Sequence, residues 1–369
     1  MNINDIFYQI FTSHNLQSLL YLFVIGIVIS YFFIAFWKKQ EFISNTSVRY
    51  DGEQRVHKGE VSRWGGLMIF LSLMIFYHFI DDPVSSSYRY LLYMISPFML
   101  ISFVEDTLHN VNFIIRLVFM IFTALIINIY WIDTFPLIEN IPFISYFLQF
   151  PVLTTLFFTF ALVGLMNGAN FIDGMNGLAT FFFMGALCGC ITIAFIVKDF
   201  QAIAVIIPWV VLMICFLIFN FPFGKLFLGD SGAYLMAILI GTWIIDFFSR
   251  HHQVSSWNAV LILIYPVLEV LYSVIRKYLQ GKSPFYPDRH HLHIKIYDMI
   301  CFSSKKPLYA NNITTVFLTL FWLTPALMVQ FVYSSQKGIA ICIILLVVSY
   351  IFINLSTPSI KKNKGKTSK

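Results

Sequence analysis

The chain alternates long apolar runs with short polar connections. Apolar runs lie near 17–37, 64–80, 89–104, 112–132, 151–166, 178–197, 202–220, 231–248, 257–275, 313–333 and 338–355. Each approaches the roughly 20 residues that a helix needs to cross about 30 Å of hydrocarbon at 1.5 Å per residue. In lipid every backbone polar group must be satisfied within its own segment, so runs of this length predict helices. The pattern predicts an all-α polytopic membrane protein with about eleven spans. The 151–166 run is the weakest, because Pro136, Pro142 and Pro151 crowd the polar and aromatic segment before it. The first run has no charged segment before it and no small-residue cleavage site after it, which predicts a retained span and not a signal peptide.

Composition agrees with that class. Of 369 residues, 59% are hydrophobic and only 11% charged, too little polar side chain to cover a soluble globule. One transmembrane domain over 1–369 is expected, ending in a basic tail at 361–369. Nineteen of the 24 Lys and Arg fall on alternate connections, at 38–63, 221–229, 276–312 and 356–369. The opposite connections hold only Arg89, Lys198, Arg250 and Lys337, and Arg116 lies inside a span near its end. The positive-inside rule then predicts a periplasmic N-terminus and a cytoplasmic C-terminus. The net charge of +6 is accounted for by topology and anionic membrane lipid, so no nucleic-acid partner is expected. Four of the five cysteines lie within apolar runs and Cys301 on the cytoplasmic side, a placement that implies neither a disulfide framework nor a metal knuckle.

The polar residues are concentrated in "FVEDTLHN" (103–110), "LMNGANFIDGMNGLA" (165–179), "FPFGKLFLGDSG" (221–232) and "SPFYPDRHHLHIK" (283–295). All four fall on connections that the charge pattern assigns to one face. Ionisable groups at helix ends in a bilayer are costly and usually face a cavity or ligand. Glu105, Asp106, Asp173 and Asp230 would bring four carboxylates together. A hard divalent cation such as Mg²⁺ relieves their repulsion while bridging to substrate phosphates. Glycines at 168, 174, 177, 229 and 232, helix N-termini after Gly177 and Gly232, and Arg289 with His290, His291 and His293 suit an anion. Acids for a metal beside bases for an anion point to phosphoryl transfer. Each stretch also has a structural reading: an interfacial acid pair, an Asn–Gly turn, a helix cap at Asp230, a solvated basic face, and a cytoplasmic anchor at Arg63.

In this order, with "HKGEVSRWGG" upstream, the stretches resemble the polyprenyl-phosphate N-acetylhexosamine-1-phosphate transferases of the MraY/WecA type, over about residues 45–325. The resemblance implies a multi-pass enzyme of the bacterial inner membrane, of the WecA-like branch, with its site on the cytoplasmic face. It implies transfer of an N-acetylhexosamine 1-phosphate, GlcNAc-1-phosphate by default, from a UDP-sugar to undecaprenyl phosphate. UMP is released, Mg²⁺ or Mn²⁺ is required, and the lipid product starts a cell-surface polysaccharide. A homodimer is compatible with it. Glu105 and Asp106 stand at the family's Asp-Asp pair, which makes Asp106 the preferred base and a metal contact. Asn170 and Asp173 match an Asn-x-x-Asp implicated in nucleotide and catalytic contacts, and Asn176 replaces a second aspartate. Asp230, after Gly229, matches the metal-binding aspartate. His291, His293, Arg289 and Arg63 are carried over as substrate contacts, while Ile294 stands where the family has a further histidine. The competing reading is a secondary transporter or lipid-linked glycan flippase, which would place acids near mid-span.

Overall fold

The computed structural model describes residues 16–43, 61–80, 82–138, 141–283 and 290–358. Arg289 and the basic tail at 361–369 lie outside the described residues. Fourteen helices, and no strands, are found among them. They are α1 (Leu16–Ile43), α2 (Gly65–Phe79), α3 (Pro83–Leu108), α4 (Phe113–Tyr130), α5 (Pro142–Phe147), α6 (Pro151–Ile172) and α7 (Leu178–Val197). The chain continues through α8 (Phe200–Asn220), α9 (Gly229–Arg250), α10 (Trp257–Ile262), α11 (Ile264–Leu279), α12 (Leu292–Ser304), α13 (Pro307–Val332) and α14 (Gln336–Ser356). Nine of these, α1, α3, α4, α6 to α9, α13 and α14, are long and apolar enough to cross a membrane. The chain is an all-α, multi-pass membrane protein.

Of the eleven expected spans, two depart from a single long helix. The run at 64–80 forms α2, which is only 15 residues long. The run at 257–275 breaks between α10 and α11 at Leu263. Pro266 explains the break: it has no N–H for the Ile262 carbonyl, and its ring crowds that carbonyl. The weakly signalled 151–166 run is a full helix, α6, with Pro151 in its first turn, where a missing N–H costs nothing.

Helix ends also run further than hydropathy suggests. Glu105 and Asp106 belong to the last turn of α3, and Asn170 to the last turn of α6. Only 173–177 remains as a turn. α9 starts at Gly229 and not after Gly232. Polar side chains end an apolar run without ending the backbone ladder.

α9 is the centre of the molecule. Its most apolar window is 94% buried, against 28% for α1, α4, α13 and α14. It packs among α2, α3, α6 and α7, a close approach permitted by Gly232, Ala233, Ala237 and Gly241. A helix enclosed on all sides presents its first turn as a fixed platform.

Candidate active site

The platform is assembled by backbone pairing. Gly65 N and Gly66 N donate to Phe227 O and Leu228 O at 3.0 and 2.8 Å, and Phe227 N donates to Ser62 O at 2.8 Å. A Cβ on Gly66 would collide with the backbone of Gly232, so glycine is needed for this approach. The pairing sets Arg63 beside the start of α9. Trp64 pins the segment, packing its ring against Phe33, Phe36, Trp37 and Phe103 and donating from Nε1 to Thr107 Oγ1 at 3.2 Å.

Asp106 then holds the first turn of α9. Its Oδ1 accepts from Asp230 N at 2.7 Å, and its Oδ2 accepts from Ser231 N at 2.9 Å and Ser231 Oγ at 2.6 Å. These are N–H groups that the helix itself leaves without partners, so a residue 124 positions away caps α9. Gly229 just before it has φ +76°, and a Cβ there would strike Asp106 and the Arg63 carbonyl. The resemblance implies a base at Asp106; in the structure both of its oxygens are committed to this cap.

Asp230, freed of capping duty, points its carboxylate at two guanidiniums. Arg63 Nη2 reaches Oδ1 at 3.1 Å and Arg116 Nη1 reaches Oδ2 at 2.6 Å. Arg63 Nε also lies 3.8 Å from Asp106 Oδ1, and Arg116 Nη1 lies 3.7 Å from Glu105 Oε1. Glu105 uses its other oxygen to accept from Val111 N at 2.8 Å, which closes the turn between α3 and α4. Asp173, capping the C-terminal end of α6, joins the same field. Burial pushes its carboxyl well above the ordinary range; Arg63 pulls it down, while Asp230 and Asp106 push it further up. For Arg63, burial acts against the charge, and the attraction of Asp230, Asp106, Asp173 and Glu105 outweighs it.

Four carboxylates against two guanidiniums leave two negative charges when all are ionised. The excess matches one divalent cation. Among the described residues no group of three or more His, Cys, Asp or Glu side chains could hold a metal ion by itself. Mg²⁺ needs only one or two carboxylates from a protein and completes its shell with water and phosphate oxygens.

The histidine segment meets this cluster from the other side. His291 Nδ1 lies 3.0 Å from Glu269 Oε2, and its ring packs against Phe171 and His293. His293 closes on the acid turn, since a Cβ on Gly174 would strike its ring. Burial first, and His291 second, hold His293 well below the ordinary histidine range, so the ring is neutral. Its Nδ1 is buried without a hydrogen-bond partner. His293, expected as a substrate contact, is a neutral ring packed on Gly174. Ile294 is buried at 2% exposure.

The expected residues Arg63, Glu105, Asp106, Asp173, Gly229 and Asp230 thus converge, with His291 and His293 on the flank. Asn170 borders them through Nδ2, which donates to Tyr234 Oη at 2.6 Å, one turn beyond Asp230. Asn176 does not join: its N–H and Nδ2 bind Asn311 and Pro222 O, and its carbonyl accepts from Thr315, tying the turn to α13. Arg116, Ser231, Tyr234 and Glu269 were missed by sequence reasoning. Arg116 and Glu269 carried a usable signal, being lone charges within apolar runs.

Residues 88–248 match the family described as glycosyl transferase family 4, a stretch from α3 to the end of α9 that includes all four acids. An undecaprenyl-phosphate alpha-N-acetylglucosaminyl 1-phosphate transferase of Thermotoga maritima is 29% identical over 272 residues, spanning 72% of this chain and 78% of that protein. A phospho-N-acetylmuramoyl-pentapeptide-transferase of Streptococcus thermophilus is 26% identical over 298 residues, 74% of this chain and 85% of that one. An Escherichia coli K12 protein with the same name as the Thermotoga enzyme is 29% identical over 149 residues, 36% of this chain and 38% of that protein. The apolar helices, the acid cluster at the mouth of α9 and these likenesses agree: over residues 88–248 the chain is similar to glycosyl transferase family 4.

Proposed function

We propose that this protein transfers N-acetylglucosamine 1-phosphate from UDP-N-acetylglucosamine to undecaprenyl phosphate and releases UMP. The observation that carries the reading is the excess of carboxylates over guanidiniums at the mouth of α9, beside bilayer-facing helices. A phosphomonoester has a second pKa near 6, so the lipid phosphate is largely a dianion at neutral pH and attacks without a strong base. Its oxygen forms a bond to the β-phosphorus of the nucleotide-sugar. The bond from that phosphorus to the oxygen bridging to the α-phosphate breaks, and the electron pair leaves on UMP.

Such a reaction is catalysed by positioning and charge neutralisation. Arg63 and Arg116 share Asp230 in the resting arrangement and offer their further N–H groups to phosphate oxygens. Asp106 keeps the first turn of α9 in place. Asn170, steadied by Tyr234, keeps its carbonyl for the nucleotide. Asp230 and Asp173 would hold Mg²⁺ or Mn²⁺, which when bound supplies positive charge to the pyrophosphate. We assign this site to the cytoplasmic face of the bacterial inner membrane, with the N-terminus periplasmic, on the cation pattern of the connections. Self-association as a homodimer is compatible with this arrangement.

Purified protein in detergent, given UDP-N-acetylglucosamine, undecaprenyl phosphate and Mg²⁺, should release UMP in step with lipid product. A transporter or flippase needs a sealed bilayer and releases none in detergent; absence of UMP there, with substrate movement in vesicles, overturns the proposal.

A further inference from the structure

Glu269 is a buried carboxylate that the reaction, as described, does not use. It lies on α11, five residues into the segment that follows the Leu263 break, and is 1% exposed. An ionised group in such a place is costly unless it is paired. Its two oxygens have separate tasks. Oε2 lies 3.0 Å from His291 Nδ1, and Oε1 accepts from Leu292 N, the first residue of α12, at 3.3 Å. The same side chain therefore fixes both the start of α12 and the ring just before it.

The His291 ring is held by aromatic contacts as well. Phe171 packs at 4.8 Å between ring centroids, and His293 lies nearly parallel at 5.8 Å and 11°. Phe171 is two residues before Asp173, so the ring stands against the acid turn. With Nδ1 given to the carboxylate and the ring packed against Phe171 and His293, Nε2 is the polar atom left for chemistry. A carboxylate on one ring nitrogen selects the tautomer and orientation in which the other nitrogen serves a ligand.

We propose that Glu269 is a positioning residue of the transferase, holding His291 at Nδ1 so that Nε2 is directed to a phosphate oxygen of the nucleotide-sugar. The proposal rests on the function given above. Glu269 touches no substrate atom; it acts through His291.

The test is a double-mutant cycle in the detergent assay. Glu269→Gln keeps the size of the side chain and removes the charge that selects the tautomer. We expect kcat to fall about 10- to 100-fold, the range seen when the partner of a functional histidine is removed, with the KM for undecaprenyl phosphate within twofold of the parent. His291→Ala should lose as much, and the double variant should lie within about twofold of His291→Ala alone, because one function is lost once. Glu269→Asp, which keeps a carboxylate, should recover part of the loss. If Glu269→Gln fails to fold, the cycle is read with Glu269→Asp in its place. Multiplicative losses in the double variant, or Glu269→Gln at parental kcat, overturn the proposal while leaving the transferase reading intact. A parent protein that releases no UMP overturns both.

Discussion

Replacement of Asp106 by asparagine separates two uses of this carboxylate. The side chain accepts three hydrogen bonds from the first turn of α9, from Asp230 N, Ser231 N and Ser231 Oγ. Asparagine is isosteric but turns one oxygen into an NH₂, which must then face a donor. A buried N–H left without an acceptor costs about 1–3 kcal/mol, and loss of the charge weakens the remaining bonds by a similar amount. The expected loss is about 2–5 kcal/mol at the entry of α9. Expressed as misplacement of Asp230, this is roughly 30- to several-thousand-fold in rate, together with a lower midpoint of thermal unfolding in detergent. Ser231→Ala removes only the hydroxyl donor, for about 1–2 kcal/mol and about 5- to 30-fold in rate. UMP release and unfolding are measured on both variants. Asp106→Asn that is inactive yet as stable as the parent, beside a fully active Ser231→Ala, would refute the clamp and return Asp106 to the role of base.

Three further outcomes follow from the same geometry. Asp230→Asn should purify like the parent, lose about 100-fold or more in UMP release at moderate Mg²⁺, and recover in part as Mg²⁺ is raised; an unchanged Mg²⁺ requirement with near-parental activity removes Asp230 from the metal site. His293 is held below its ordinary value of 6.5 by burial, so below about that pH the unfolded chain takes up a proton that the native ring refuses, and stability falls. The unfolding midpoint should therefore drop from pH 7 to pH 5 less steeply in His293→Gln than in the parent, compared at equal pH because Asp173, pushed up by burial, titrates with the opposite sign; equal slopes contradict the assignment. A membrane-impermeant thiol reagent applied from the periplasm should label cysteines placed at the exposed positions Ser87 and Gln253 but not at exposed Lys282, and labelling at 282 contradicts the orientation.

Hydropathy located every helix that packs around α9, because lipid demands long apolar runs and tolerates little else. The charge pattern, in turn, assigned the connections that carry Asp106, Asp173 and Asp230 to one expected face. What it could not show was which atoms these acids hold. Asp106 and Asp230 look alike as carboxylates, yet one caps a helix and the other faces two arginines. That division depends on contacts across more than a hundred residues, for which a run of sequence carries no mark. Arg116 was absorbed into the count of topological charges, although its position inside an apolar run set it apart. The basic histidine segment suits either an anion or a solvated face in sequence; its burial against Gly174 and Glu269 is visible only once α11 and α12 are placed. Asn176 shows the converse, a polar residue in a functional stretch whose N–H, carbonyl and Nδ2 are spent on the turn itself.

In the proposed reaction the phosphate bonded to the sugar moves with it. UDP-N-acetylglucosamine carrying ³²P only in its β-phosphate tests this directly, with purified protein, undecaprenyl phosphate and Mg²⁺ in detergent. The label should appear in the lipid product, whose mass rises by one N-acetylhexosamine phosphate, and the UMP released should be unlabelled. Label retained in UDP, with a lipid that has gained the sugar alone, would mean that the sugar–oxygen bond is the one broken and would contradict it.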